Sequence, residues 1–437
     1  MNLCIMRFSP TKDQFVYYTF AAMIAGLPFS KALSSVALTI LLFLALPDLI
    51  QSGLTIWQKY RAFFAVSGLL VFYLISVGYS DQLTNALKFC YQQNILLTLP
   101  LIWVAHRERL LPHLTGFLKV FIYACGFTSV VTLLLFVLPE ATTSWISNHV
   151  PGLNPYEYLE SRIKFGLYSP FIDRLHFSYL LGLALLGLLW MRQKKIWSEW
   201  ITGSAIIIVT TFLFLGGRGA QLGLLLILFI WIWKWVESSY ANPNQWNTAK
   251  KWGLGTILFI GYFVLAPALL FQTLEPVKAR YDQLFWEMKL LQNGEYKQWD
   301  YRHFTTLRRL LSIKNHYRLI ARHPLSGVGV GDYRRDLQDA YNEDRDTGLD
   351  LDANAHNQFL FIWANAGLLA FGYFIWLLYF VGRSALGITD DWTRTLAVSV
   401  LIFFVFLLLF DVFIIYQIGA MVFVLSICLI LEGSNKP

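Results

Sequence analysis

Long apolar runs alternate with short polar connections along most of this chain. Twelve runs predict helices, near 14–29, 32–50, 62–79, 88–105, 113–138, 175–191, 200–217, 220–236, 253–272, 357–381, 394–410 and 412–431. Most approach the roughly 17–25 apolar residues that a bilayer asks of a spanning helix. The first is short and ends at Gly26-Leu27-Pro28, which predicts a tight hairpin with the second. The seventh and eighth are separated only by Gly216-Gly217-Arg218-Gly219. Two polar intervals break the rhythm, at 139–174 and at 273–356. The longer one is too long to lack structure of its own. Within it, Leu310, Ile313, Tyr317 and Ile320 recur at helical spacing and predict an apolar stripe, on a helix running from Tyr301 to Arg322. Arg302, Thr305, Arg309, Ser312 and His316 fall on a neighbouring polar stripe. Pro324 stops that helix, and Gly327, Gly329 and Gly331 predict a flexible turn after it.

Composition agrees with this pattern. Of 437 residues 56% are hydrophobic and only 14% charged, with mean hydropathy +0.51, which excludes a soluble globule. The fold class is therefore an all-α polytopic membrane protein of about twelve transmembrane helices. It forms a single integral membrane domain over 1–437, with outer loops at 139–174 and, between spans nine and ten, at 273–356. The net charge of +8 does not signal nucleic acid, because no soluble module carries a basic stripe with stacking aromatics. It records topology instead. With the N-terminus in the cytoplasm, the inner connections hold Lys59, Arg61, Arg107, Arg109, Arg192, Lys194, Lys195, Lys234, Lys250, Lys251, Arg383, Arg394 and Lys436. The short outer connections are poor in basic residues, so both long loops face outward, to the periplasm of a Gram-negative cell, and both termini are cytoplasmic. Cys4, Cys90, Cys125 and Cys428 imply neither a disulfide framework nor a metal cluster. Arg7 and Lys12 precede the first run without a convincing cleavage site, which reads as a retained first helix.

Three residues stand out chemically. Arg218 lies between glycines at the outer end of two spans, where a guanidinium near hydrocarbon is costly unless it is paired or reaches the interface. It either binds an anion or caps the hairpin and snorkels to headgroups. Arg309 presents a planar fork suited to phosphate, although an interfacial helix held to anionic lipids also explains it. His356 stands where the long loop enters the tenth run, and its imidazole suits a general base. It could equally cap a helix start, with Asn354 as the ordinary N-cap. Asp350, Asp352 and His356 do not have the spacing of a recognised metal motif. Gly327-Val328-Gly329-Val330-Gly331 follows no buried strand and is not a nucleotide loop.

The order of these pieces resembles the O-antigen ligase and polymerase superfamily. Its loop block, an Arg followed about fifteen residues later by a His/Asn-Pro-Leu-x-Gly-x-Gly turn, reads here as Arg309 through His323-Pro324-Leu325-Ser326-Gly327-Val328-Gly329. Ala355-His356-Asn357 followed by Gly367-Leu368 matches the family's next block, and Arg218-Gly219-Ala220 matches its mid-chain Arg-Gly-Ala. Ile313 departs from an aromatic that the family often carries. The resemblance implies a GT-C-like, inverting glycosyltransferase that needs neither metal nor cofactor and works in the bacterial inner membrane. Its donor would be a glycan on undecaprenyl pyrophosphate, and its acceptor a hydroxyl of lipid A-core. An O-antigen polymerase or a protein O-oligosaccharyltransferase would use the same donor. Under that resemblance Arg218 and Arg309 hold the pyrophosphate and His356 is the base, with Arg174, His176 and Asn357 as further substrate contacts. A transporter is the remote alternative, since ionisable residues cluster at the outer edge and not at mid-membrane on paired halves.

Overall fold

The computed structural model describes residues 11–137, 169–196, 198–215, 218–239, 275–295, 306–343 and 355–434. The ninth apolar run, loop residues 139–168, Arg302, Thr305, Asn354 and the acidic residues from Asp344 to Asp352 lie outside them. The described residues are helical: α1 (Lys12–Gly26), α2 (Lys31–Ser52), α3 (Leu54–Tyr60), α4 (Gly68–Val77), α5 (Leu83–Gln92), α6 (Ile95–Leu110) and α7 (Leu114–Val137) come first. Then follow α8 (Arg174–Gln193), α9 (Glu199–Phe214), α10 (Arg218–Ser239), α11 (Glu275–Asn293), α12 (Thr306–Arg322), α13 (Tyr333–Glu343), α14 (Gln358–Leu386), α15 (Asp391–Phe410) and α16 (Gln417–Ser434).

Eleven of the twelve apolar runs coincide with helices among the described residues. Six helical stretches are long and apolar enough to cross a bilayer: α2, the 83–135 stretch, α8, α14, α15 and α16. Shorter apolar helices at Phe63–Val77, Glu199–Phe214 and Gly219–Lys234 pack beside them. The chain is an all-α, multi-pass membrane protein. The α1–α2 hairpin is as tight as its sequence predicts. Ser30 caps α2 at 3.2 Å from the Leu33 N–H, and the Ser34 hydroxyl donates to the Met23 carbonyl at 3.0 Å. The fourth run is not one helix, because the chain breaks at Gln93-Asn94 and leaves α5 as a separate short amphipathic piece. The twelfth run also starts later than its hydropathy suggests. Val412, Phe413 and Ile414 form a fully buried connection, and α16 begins at Gln417.

The bundle has two distinct ends. At one, charged residues close the helices in pairs. Arg109 bridges Asp13 at 2.7 Å and Asp48 at 2.8 Å, and Lys12 also reaches Asp48 at 3.0 Å. Arg107 grips the Glu432 carboxylate through two nitrogens, each at 2.6 Å. Lys194 pairs with Asp390, and Lys234 with Asp391 at 2.9 Å. The other end is formed by the start of α8, the start of α14, the 411–416 connection and the α12–α13 unit. It holds the candidate site.

Candidate active site

The glycine turn after α12 is docked, not flexible. Gly367 breaks α14 with φ 80° and ψ −176°. In an unbroken helix the carbonyls of Ala364 and Asn365 would accept from N–H groups four residues on. Here they accept from Val328 at 2.8 Å and Gly329 at 3.0 Å, while the Leu368 N–H turns to the carbonyls of Pro324 and Leu325. Backbone groups released by the kink are thus satisfied by the turn, as burial requires. The glycines are needed because the chains touch. A Cβ at Gly327 would lie 2.6 Å from the Asn365 carbonyl carbon, and one at Gly367 would lie 2.0 Å from the Leu325 oxygen. Trp363 and Tyr79 add hydrogen bonds to the carbonyls of Pro324 and Ser326. The buried Asp332 carboxylate accepts from the N–H groups of Asp81 at 2.7 Å and Gln82 at 3.1 Å, and so fixes the turn to the α4–α5 connection.

The helix that this turn terminates is α12, and its register differs from expectation. Leu310 and Tyr317, placed on the apolar stripe, are exposed; Leu307, Leu311, Leu319 and Ile320 are buried together with Ser312, Asn315 and His316 from the polar side. These polar side chains are buried at little cost because each is hydrogen-bonded. Asn315 donates to the Leu311 carbonyl at 3.1 Å, and His316 Nδ1 donates to the Ser312 carbonyl at 2.6 Å. That bond fixes the tautomer, so His316 Nε2 accepts from the Tyr333 hydroxyl. Burial pushes the His316 imidazole down to about 4, the Ser312 carbonyl opposes this, and the nearby charge of His356 adds to it. Burial raises the Tyr333 phenol well above its ordinary value, so it remains a donor. At the far end of α12 the buried Glu287 carboxylate accepts from the N–H groups of Thr306 and Leu307, both at 2.7 Å, and caps the helix three residues before Arg309.

His356 thus lies within electrostatic range of an imidazole that burial disfavours from charging. Its own backbone is left-handed, with φ 44°, a strained setting for a residue other than glycine. The strain is held by Asn357, which is the true cap of α14. Its Oδ1 accepts from the Leu360 N–H at 3.0 Å, and its Nδ2 donates to the Leu409 carbonyl at 3.1 Å. With both ends of its amide occupied, Asn357 ties the start of α14 to the end of α15. Gln358 and Gln93 then clamp the next connection, at the Ile414 N–H (3.0 Å) and the Ile415 carbonyl (3.1 Å).

The third wall is α8. Asp173 caps it, accepting from the Leu175 N–H at 2.9 Å, and its carboxylate also meets His176 Nδ1 at 3.3 Å. Burial alone would raise the Asp173 carboxyl, but the hydrogen bonds from His176 and the two backbone N–H groups hold it below the usual range. Arg174 occupies the first position of α8 and is partly exposed. One turn further in, Tyr179 donates to the buried Asp411 carboxylate at 2.9 Å. Arg309 on α12 lies within electrostatic range of the same tyrosine. Arg218 opens α10, and a Cβ at its neighbour Gly219 would lie 3.7 Å from the Phe410 Cβ.

Three of the elements that carry predicted site residues meet residues 409–416: the start of α14 through Asn357 and Leu409, the start of α8 through His176 and Phe413, and the first turn of α10 through Phe410; α12, which carries Arg309, packs on α14 through the glycine turn. His316, Tyr333, Tyr179 and Asp411 were not among the predicted site residues. Only Asp411, a lone acid between two long apolar runs, left a readable signal. Imidazoles beside a buried connection, with arginines on the neighbouring elements, can accept a proton and bind a polyanion.

The family profile described as O-antigen ligase matches residues 203–375, from within α9 to within α14. No curated protein matches the chain. The matched stretch contains Arg218, Arg309, the docked glycine turn and His356, and over these residues the chain is similar to the O-antigen ligase family.

Proposed function

We propose that this protein moves a glycan from undecaprenyl pyrophosphate to a hydroxyl of lipid A-core, with inversion at the anomeric carbon and without a metal. The supporting observation is that the starts of α14 and α10, both in the matched stretch, meet residues 409–410, while the glycine turn docks the end of α12 onto α14. The acceptor oxygen attacks the anomeric carbon from the face opposite the pyrophosphate. As that bond forms, the carbon–oxygen bond to phosphate breaks and its electron pair stays on the phosphate oxygen. His356 takes the hydroxyl proton, while Arg218 and Arg309 stabilise the charge that develops on the departing pyrophosphate. His316, which burial disfavours from charging, adds no competing positive charge while His356 is being protonated. Asn357 serves by holding His356 in place, and Arg174, partly exposed at the start of α8, is a further substrate contact in this reading. Both substrates are anchored in one bilayer, which removes much of the entropic barrier to their meeting.

In this reading the ion-paired end faces the cytoplasm and the site faces the periplasm of an inner membrane. The basic residues of the connections at the paired end support that orientation. The test is the lipopolysaccharide profile of a deletion strain complemented with this chain or with its His356→Ala form. The intact chain restores long glycan on lipid A-core, and the variant leaves that glycan on undecaprenyl pyrophosphate. A deletion that leaves single-repeat caps identifies a polymerase instead. An unchanged profile with His356→Ala at normal abundance removes the imidazole from the mechanism.

A further inference from the structure

His176 presents a nitrogen that has no hydrogen-bond partner among the described residues. Its Nδ1 faces the Asp173 carboxylate at 3.3 Å, which keeps the proton on that nitrogen and leaves the lone pair on Nε2. The ring cannot turn away. It stacks on Phe413 with centroids 5.6 Å apart and meets Tyr416 edge-on at 4.7 Å. The residue is only 8% exposed, and its Nε2 is buried without a hydrogen bond. A buried polar atom left so in a native fold calls for a partner from outside the chain. Of the rings around it, Phe413 and Tyr179 are closed off at 0% and 2% exposure, while Tyr416 is 36% exposed and marks the way in. Beyond Tyr416, Gln417 donates to the Ser35 hydroxyl at 2.6 Å, and Phe29 of the α1–α2 connection meets Phe171 edge-on at 6.3 Å. The approach is therefore bordered by three elements: the α1–α2 hairpin tip, the start of α8 and the 413–417 segment.

We infer that His176 Nε2 accepts a hydrogen bond from a sugar hydroxyl of the transferred glycan, with Tyr416 as the aromatic surface against which that sugar packs. The assignment rests on the glycan-transfer reading. The ligand chemistry follows from the tautomer. With Nδ1 turned to Asp173, Nε2 is the ring's acceptor, and a phosphate, which itself offers only acceptors, does not complement it. A hydroxyl offers the missing proton, and a sugar's C–H face suits an aromatic ring. His176 and Tyr416 both lie outside residues 203–375, so the contact would read the particular sugar rather than the reaction shared across the matched domain.

The test uses purified full-length protein in nanodiscs and two probes, undecaprenyl pyrophosphate carrying a disaccharide and undecaprenyl pyrophosphate alone. His176→Phe keeps a packed ring but removes the acceptor. It weakens binding of the disaccharide lipid about tenfold, the size expected of one neutral hydrogen bond, and leaves the bare lipid unchanged. His176→Gln, whose amide oxygen can reach toward the place of Nε2, recovers most of that loss. Equal weakening of both lipids, weakening of neither, or a wild type that does not distinguish them overturns the inference. Arg309→Ala separates this result from the parent reading, because it weakens both lipids if Arg309 grips pyrophosphate. If it weakens neither, the pyrophosphate assignment fails while the hydroxyl contact stands or falls on its own variants.

Discussion

The two ends of this bundle use charge in opposite ways. At the paired end carboxylates hold several of the cations, as in Arg107 with Glu432 and Arg109 with Asp13 and Asp48. Charge there joins helices that are distant in sequence and is spent within the protein. At the other end Arg309 has no carboxylate partner among the described residues, and the buried carboxylates are satisfied by tyrosine and backbone donors instead. Asp411 takes the Tyr179 hydroxyl and the Val412 N–H; Asp332 takes two N–H groups as well as Arg335. Arg309 is thereby left for an anionic ligand. The lesson is that a bilayer protein can hold charge cheaply either by pairing it or by reserving it for substrate, and the bonding partners reveal which.

The sharpest way to break this contrast is to remove a charge from each end. Arg309→Ala should lower the transfer rate by about 10²–10³-fold, the usual loss for one group aimed at developing negative charge. Arg309→Lys should recover only part of it, because an ammonium lacks the bidentate fork. Initial rates at saturating acceptor measure both. Gly367→Ala should cost on the order of 4 kcal/mol, since its Cβ would meet the Leu325 oxygen and undock the glycine turn. Thermal stability in detergent and loss of folded protein report it. Arg107→Ala should cost about 3 kcal/mol by stranding the buried Glu432 carboxylate, while replacing both partners with methionine should be nearly neutral. In either case the rate per folded molecule should stay unchanged, which separates the paired end from the site.

The smallest effect concerns pH. His316 titrates near 6.5 when unfolded and only near 4 in place. Between those values the unfolded chain binds a proton that the folded protein refuses. Stability should therefore fall as pH drops from about 6.5 to about 4 and level off below, and His316→Gln should flatten that slope in a thermal series.

Much of the architecture was legible in the chain because hydropathy reports membrane spans directly. The short first run and its Gly-Leu-Pro ending gave the hairpin, and Pro324 gave the end of α12. The register of α12 was not legible. Hydropathy ranks Ser312, Asn315 and His316 as exposed, yet bonds within the helix and to Tyr333 satisfy these side chains in place, which removes the penalty that the ranking assumes. The 411–416 connection was hidden for the converse reason. Val412, Phe413 and Ile414 are as apolar as a span, and only long-range contacts from Tyr179, Gln358 and Gln93 hold them in irregular backbone. The glycine turn looked flexible because its partner, the break at Gly367, lies forty residues downstream of Gly327.

The central claim is that proton transfer occurs at His356, at the end of the bundle where charge is reserved. A single-turnover measurement on reconstituted protein preloaded with the lipid-linked donor tests it most directly. His356→Gln should bind the donor normally and slow the transfer step by about 10²–10⁴-fold, the range for a positioned general base. A variant that is folded, loaded with donor and as fast as the wild type would contradict the account.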